Sequence, residues 1–490
     1  MNRELDLMST GVQGLDELLR GGVVTGRMYL VRGRPGTGKT LLGMEFLETG
    51  LENGETVLFI HGEESEDDIV ANAAALGIDL SDAAFLDLGP ESDFFSEERS
   101  YDLVDPRDVE GDQFIDDIRD AIEQLNPSRV CIDPITQLRY VEASDYQFRK
   151  RLVSFMRFLK DRGTTVLATR TQYGGASHDD EIASLSDGIV EFDRGDGGRR
   201  ARVPKHRGVG QRDGTHGMEI RERGIEVYPS LVPPVHEDTL GDELVASGVP
   251  ELDGLLGGGI ERGTATFISG PTGVGKSTTG TEFLVGAARE GLDPVVYLFE
   301  ESLETFTARS ESLGLPVTDL RESGALTVEP IEPLTLSAEE FAQRVREQVE
   351  ERGSQVVMID GIDGYKVSLR GEDRELGEKL HALVRYLTNV DVTAVLLDEV
   401  GEVTGLPSAT GANVSYVADN IVFLSYVELE GRLRRVVGVL KKRVSDFDHT
   451  LHEFEITPDG LTVGDPMTDV QGVLGGDPTW VEGRSRSGAR

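Results

Sequence analysis

The chain repeats itself. Residues 11–40 read GVQGLDELLRGGVVTGRMYLVRGRPGTGKT and residues 248–277 read GVPELDGLLGGGIERGTATFISGPTGVGKS, in register at an offset of 237 without a gap. Gly11, Val12, Leu15, Asp16, Leu18, Leu19, Gly21, Gly22, Gly26, Gly33, Gly36, Gly38 and Lys39 recur unchanged, and the same offset carries Glu63-Glu64 onto Glu300-Glu301. Solenoid repeats span roughly 20–50 residues, so a period this long is that of a whole domain. The apolar run RVCID ending at Asp133 matches VVMID ending at Asp360 at an offset of 227, ten less than 237. Copy one therefore carries ten extra residues, expected in the acidic stretch from Pro90 to Asp112 as a surface loop. Three prolines and several acids in PSLVPPVHEDTLGD, Pro229 to Asp242, predict an extended connection. The expected layout is a first domain over 1–230, a linker over 231–242, a second domain over 243–465 and a tail over 466–490.

Within copy one, β-rich runs of buried-strand length (Met28 to Gly33, Thr56 to His61, Arg129 to Asp133, Thr164 to Thr169) alternate with helical patterns. The latter run from Lys39 to Leu51, Gln113 to Leu125 and Tyr146 to Lys160. Strands alternating with helices predict an α/β fold: in each copy, a mostly parallel twisted sheet flanked by helices.

Two stretches fit the pattern G-x-x-x-x-G-K-[ST]. They are Gly33-Arg34-Pro35-Gly36-Thr37-Gly38-Lys39-Thr40 and Gly270-Pro271-Thr272-Gly273-Val274-Gly275-Lys276-Ser277, the latter followed by Thr278. Each follows an expected strand and opens an expected helix, the context in which glycine backbone N–H groups wrap phosphates at a helix N-terminus. Lys39 and Lys276 would reach the β- and γ-phosphates of ATP, and Thr40 and Ser277 would offer hydroxyls to Mg²⁺. Asp133 and Asp360 end strands where a carboxylate can hold Mg²⁺, often through water. Glu63, Glu64, Glu300 and Glu301 follow the strand after the phosphate-loop helix, at the carboxyl edge where open α/β sheets bind ligands. A carboxylate there can polarise water or accept a hydroxyl proton.

Composition narrows the function classes. With 89 acidic and 49 basic residues the net charge is −40, which argues against broad neutralisation of nucleic-acid phosphates. No run of about 18 apolar residues predicts a membrane span, and the polar start, Met1 to Thr10, lacks a signal-peptide core. The lone cysteine, Cys131, is expected in a buried strand and fits a reducing, cytoplasmic setting. Only nine of the 49 basic residues are lysine, and acid excess with lysine depletion resembles proteins of salt-loving archaea.

The paired phosphate loops, glutamate pairs and strand-end aspartates resemble KaiC-like ATPases of the RecA superfamily. The resemblance extends through NVSYVADNIV (Asn413 to Val422), ELEGRLRRVVGVLKKR (Glu428 to Arg443) and the tail MTDVQGVLGGDPTWV (Met467 to Val481). In copy one it rests on SDGIV at 186–190, KHR at 205–207 and RGIEVYP at 223–229. It implies two RecA-like domains and a homo-oligomer, a hexameric ring with ATP between neighbouring chains. In that ring Lys205, His206, Arg207, Arg435, Lys441, Lys442 and Arg443 would contact phosphate bound by the adjacent chain. It favours the first glutamate of each pair as the base, with the second assisting. It also marks Ser415 and Thr410 as hydroxyls for autophosphorylation, although Tyr416 stands where the family has a threonine. A signalling protein is the partner expected at the tail. Two alternatives remain at this level: a DNA-associated RecA-type ATPase, and a nucleotide-gated scaffold with little turnover. His61 and Trp480 carry no assigned chemistry.

Overall fold

A computed structural model describes residues 5–88, 119–120, 122–136, 145–172, 179–195, 197–233, 243–370, 373–400, 417–429, 431–468, 470–472 and 479–480. The chain divides into two compact units, Met1–Ser230 and Leu231–Arg490. The stretch Pro90 to Asp112, most of the expected linker, and both Thr410 and Ser415 lie outside the described residues.

In the first unit, β1 (Leu7–Met8) and β2 (Val23–Val24) form a short antiparallel ribbon. The main sheet contains β3 (Met28–Gly33), β4 (Val57–His61), β5 (Ala84–Asp87), β6 (Arg129–Asp133), β7 (Thr165–Thr171), β8 (Gly188–Gly195), β9 (Gly198–His206), β10 (His216–Arg221) and β11 (Gly224–Tyr228). Their spatial order is β5-β4-β6-β7-β3-β8-β9-β10-β11. Neighbours run parallel from β5 to β8 and antiparallel from β8 to β11.

The second unit repeats this plan. A ribbon of β12 (Leu244–Val245) and β13 (Ile260–Glu261) precedes a sheet of β14 (Ala265–Gly270), β15 (Val295–Leu298), β16 (Thr327–Pro330), β17 (Val356–Asp360), β18 (Thr393–Glu399), β19 (Asn420–Leu429), β20 (Arg432–Lys442), β21 (His452–Thr457) and β22 (Gly460–Pro466). The order is β16-β15-β17-β18-β14-β19-β20-β21-β22, strand for strand that of the first domain. The fold is two tandem RecA-like α/β domains. The β8–β9 pair spans 8 and 9 residues against 10 and 11 for β19–β20.

The inner parallel strands β4, β14 and β17 are buried along their length because helices cover both faces, which is why they read as apolar runs. In the first domain Val31, Phe59, Cys131 and Leu167 share one core layer with Leu42 and Phe46 of the phosphate-loop helix (Lys39–Glu52). Leu30, Ile60, Ile132 and Ala168 form the opposite layer with Leu152, Phe155 and Leu159, spaced along one face of the helix Asp145–Asp161. Cys131 is thus a core residue, and burial drives its thiol pKa up. The expected helix Gln113 to Leu125 is helical at 119–120 and 122–125; its remainder lies outside the described residues. No described helix is long and apolar enough to cross a membrane.

Candidate functional site: two phosphate loops

Each loop leaves the central strand of its sheet, β3 or β14, and runs directly into a helix whose N-cap is a left-handed glycine. Gly38 has φ 101° and Gly275 φ 118°, a region an L side chain enters only at a cost. A side chain is excluded twice over: a Cβ on Gly38 would lie 2.9 Å from Ile220 Cδ1, and one on Gly275 2.6 Å from Ile456 Cδ1. The C-terminal hairpin of each domain, β10–β11 or β21–β22, therefore packs onto the loop itself. Gly36 and Gly273 repeat the positive φ, at 73° each. The result is a concave turn of backbone N–H groups at a helix N-terminus, built for anionic phosphate. Within it Thr37 Oγ1 donates to Arg34 O at 2.8 Å. The Val274 side chain is core, so this residue offers the cradle only its backbone.

The lysines fold over their own loops. Lys39 Nζ donates to Arg34 O at 2.9 Å, and Lys276 Nζ to Gly270 O at 2.9 Å and Pro271 O at 3.1 Å. Burial lowers the Lys39 pKa, opposed by the Asp133 and Glu63 carboxylates that face it. That electrostatic triangle brings together three of the sequence-derived residues of copy one. Copy two gathers its own set in a cleft of about 320 Å³, lined among others by Thr272, Gly273, Gly275, Lys276, Ser277, Thr278, Glu300, Glu301 and Asp360.

Asp360 accepts from Ser277 Oγ at 3.1 Å, while its Oδ2 is buried without a hydrogen-bond partner. Burial, with Glu301 adding, pushes its pKa up to about 7, against the bond from Ser277. A hydroxyl and an unsatisfied carboxylate oxygen facing the loop are hard donors that fit Mg²⁺, whose charge would stabilise the ionised carboxylate. In copy one Asp133 is half-buried and accepts instead from Thr169 Oγ1, and Thr40 is half-buried at the start of the helix.

The glutamates of each pair are held differently. The second of each pair is tied to the helix that follows it: Glu301 by Arg309 at 2.5 Å, Glu64 by Asn72 Nδ2 at 3.3 Å. The first is held more lightly, Glu300 Oε1 accepting from Gly364 N at 3.3 Å. Gly361, φ 98°, lets Glu300 lie close, because a Cβ there would be 2.5 Å from its Oε1. His61 is buried, its Nδ1 2.9 Å from Glu64 O, and so braces that turn.

The expected cross-chain cations separate by strand alternation. Lys205 Nζ donates to Ala183 O at 2.8 Å and Arg207 Nη2 to Ser184 O at 3.2 Å. Lys441 Nζ donates to Ala418 O at 2.5 Å, and Arg443 pairs with Asp419 at 2.9 Å. Burial lowers the pKa of both Lys205 and Lys441, helped by the neighbouring arginine of each. The residue between them points the other way, which corrects two expectations. His206 is 5% exposed and its Nδ1 lies 2.9 Å from Gly210 O. The Lys442 ammonium is enclosed with Glu261 at 3.0 Å, Gly259 O at 3.1 Å and Ser445 Oγ at 2.6 Å. Both groups are enclosed within their own domain. Arg435 stacks over its own Tyr426 ring, 5.9 Å from the centroid.

Sequence reasoning missed Arg309 and Asn72, although they match each other at the offset of 237 and so were readable from the repeat. It missed Glu399, which lines the copy-two cleft from the end of β18. It also missed a buried carboxylate in each phosphate-loop helix. Glu45 Oε1 accepts from Ile225 N at 2.7 Å and Glu282 Oε1 from Leu461 N at 3.2 Å, each clasping the helix to the C-terminal hairpin. The first of these helices carries three glutamates, Glu45, Glu48 and Glu52, and nothing in its sequence shows which of them a hairpin will cover.

Comparison with known proteins agrees with this geometry. The family model described as "ATPase: KaiC" matches residues 8–232 and again 245–468. A circadian clock oscillator protein KaiC from Rippkaea orientalis is 26% identical over 484 residues, covering 96% of this chain and 91% of the relative. A circadian clock protein KaiC3 from Synechocystis is 27% identical, covering 97% and 95%. A circadian clock oscillator protein KaiC from Synechococcus elongatus is 26% identical, covering 96% and 92%. With two phosphate-loop domains, each matched by the family model, the chain belongs to the KaiC family of ATPases.

Proposed function

We propose that each domain binds Mg-ATP and hydrolyses it slowly, and that the chain acts as a regulatory ATPase in a homo-oligomeric, hexameric ring. The observation that carries this reading is the convergence of Lys276, Ser277, Asp360, Glu300 and Glu301 on one cleft. Bound with the nucleotide, Mg²⁺ would supply positive charge against that of the phosphates. Ser277 and Asp360, or Thr40 and Asp133, are the residues to hold it. The loop N–H groups and Lys39 or Lys276 orient the phosphates. The lightly held first glutamate, Glu63 or Glu300, takes the proton of an attacking water, while its neighbour is fixed by Asn72 or Arg309. Lys205 and Arg207, with Lys441 and Arg443, at the ends of β9 and β20, are the residues to reach nucleotide bound by a neighbouring chain. Cations supplied there are worth about 10³–10⁵ in rate in related systems.

A hydroxyl presented to Glu300 in place of water would be phosphorylated, and Ser415 and Thr410 are the candidates. A regulatory role with a protein partner at the tail rests on the relatives named above. The test is ATP turnover and phosphopeptide mass spectrometry on the full chain with Mg-ATP. The expected result is ADP formation that falls in Lys39→Ala and in Lys276→Ala and vanishes in the double variant. Phosphate on Ser415 or Thr410, absent from Lys276→Ala and Glu300→Gln, would make the second domain an autokinase. Unmodified peptides at full coverage would leave a pure ATPase, and undiminished turnover in the double variant would overturn the assignment of both sites.

A further inference from the structure

The two loops differ in what stands beside them. In the first domain the residue paired with Gly33, at the mouth of the loop, is Thr171. In the second, the residue paired with Gly270 is Glu399. Both positions are pinned by the same backbone bond: Gln172 N donates to Gly33 O at 3.0 Å, and Val400 N to Gly270 O at 3.2 Å. The exchange is therefore one of side chain at a conserved place in the fold. Glu399 uses that place to engage the phosphate loop. Its Oε1 accepts from Thr272 Oγ1, and its Oε2 lies 3.8 Å from Lys276 Nζ. Thr272 and Lys276 are the two polar side chains through which this loop would receive phosphate oxygens.

We propose that Glu399 is an internal anion that competes with nucleotide phosphates for the second loop and weakens nucleotide binding there. This rests on the reading that the second loop binds ATP. The physical reason is charge. A carboxylate facing Lys276 cancels part of the attraction the ammonium offers, and it repels a phosphate brought to the same ammonium. At a partly wet surface, charges a few Å apart change affinity by about tenfold. Nucleotide entry then requires Glu399 to release Thr272 and Lys276, so nucleotide binding is coupled to a movement at the end of β18. The first domain, with a neutral hydroxyl at this position, has no such competitor there.

The test uses the full chain carrying Lys39→Ala, so that only the second loop is read. Binding of ATPγS with Mg²⁺ is measured by calorimetry. Glu399→Gln keeps an oxygen for Thr272 and removes only the charge; Glu399→Thr copies the first domain. Both are expected to bind about tenfold more tightly than their Lys39→Ala parent. Unchanged affinity overturns the proposal. Weaker affinity overturns it too, and would show that Glu399 helps to hold the magnesium nucleotide. The reciprocal variant, Thr171→Glu with Lys276→Ala, is expected to weaken the first site by a similar factor, and it decides the matter should the Glu399 variants fold poorly. A Lys39→Ala, Lys276→Ala control that still binds ATPγS would instead overturn the assignment of the loops.

Discussion

The two domains share a sheet order and the glycine path of their loops, and they diverge in the charges set around that backbone. Asp360 is buried and bonded to Ser277, whereas Asp133 is half-buried and bonded to Thr169. The second glutamate is clamped by a cation, Arg309, in one domain and by a neutral amide, Asn72, in the other. Glu399 faces Thr171 across the alignment of the copies. Strand positions, once duplicated, are conserved by burial, because any change in a close-packed layer is felt by its neighbours. Polar groups at the carboxyl edge face solvent or ligand, so they alter without disturbing the layers beneath. The outcome is one scaffold carrying two differently tuned sites.

The largest difference is expected in stability. In the second domain the Lys442 ammonium is sealed inside with Glu261, whose pKa is lowered, despite its burial, by bonds from Ser445 and Lys442. The position corresponds to His206 in the first domain, a ring held by Gly210 O and the edge of Tyr29. Removing one partner of a buried ion pair leaves the other uncompensated, so Lys442→Ala should cost the second domain about 3–5 kcal/mol. His206→Ala should cost the first about 1–2 kcal/mol. Denaturant unfolding, followed by proteolysis with peptide mapping to each domain, measures both. Equal losses would erase the distinction between the two packing solutions.

Next comes turnover. In a Lys39→Ala background, Glu300→Gln should lower ATP hydrolysis by about 10²–10³, and Glu63→Gln should do the same in a Lys276→Ala background. The comparison sharpens one step further out. Arg309→Ala frees Glu301 and should lower second-domain turnover by about tenfold, since an ion pair holding a site carboxylate is worth roughly that factor. Asn72→Ala should change first-domain turnover by no more than about two- to threefold. Steady-state rates in the same silenced backgrounds decide it, and a larger effect from Asn72 would reverse the ranking.

The sequence shows what repetition and strand periodicity can show. The loops, the strand-end aspartates and the glutamate pairs were legible because each is a fixed pattern seen twice. The parallel core was legible because burial on both faces leaves unbroken apolar runs such as VLFIH and VVMID. Lys442 and His206 were misplaced for a reason of the same kind. A contiguous basic run reads as one patch, but on β20 and β9 alternate residues face opposite sides, so the middle residue of each is buried. Glu399 was illegible because its neighbour in space, Thr272, is 127 residues away, and only the β14–β18 register joins them.

The most gradual of the expected effects is a pH dependence that separates the clasps. Burial pushes the Glu45 carboxyl up to about 8, opposed by the bond from Ile225 N and reinforced by Glu48; the ordinary value is 4.5. Between those values the folded chain holds a proton that the unfolded chain has lost. The folded state therefore binds more protons, and its stability falls as pH rises through that window, by at most about 1.4 kcal/mol per unit. Glu282 is raised as well, by burial, but Arg289 opposes the shift alongside the bond from Leu461 N. The second domain should lose less over the same range. Glu45→Gln keeps a carbonyl oxygen for Ile225 N and removes the titration, so it should flatten the first domain's loss between pH 5 and 8, while Glu282→Gln flattens the second's by less. Pulse proteolysis in denaturant, read peptide by peptide at each pH, gives both slopes. A Glu45→Gln slope identical to that of the parent would mean that the clasp is ionised in the folded chain, and that the hairpin holds the phosphate-loop helix through a charged bond rather than a neutral one.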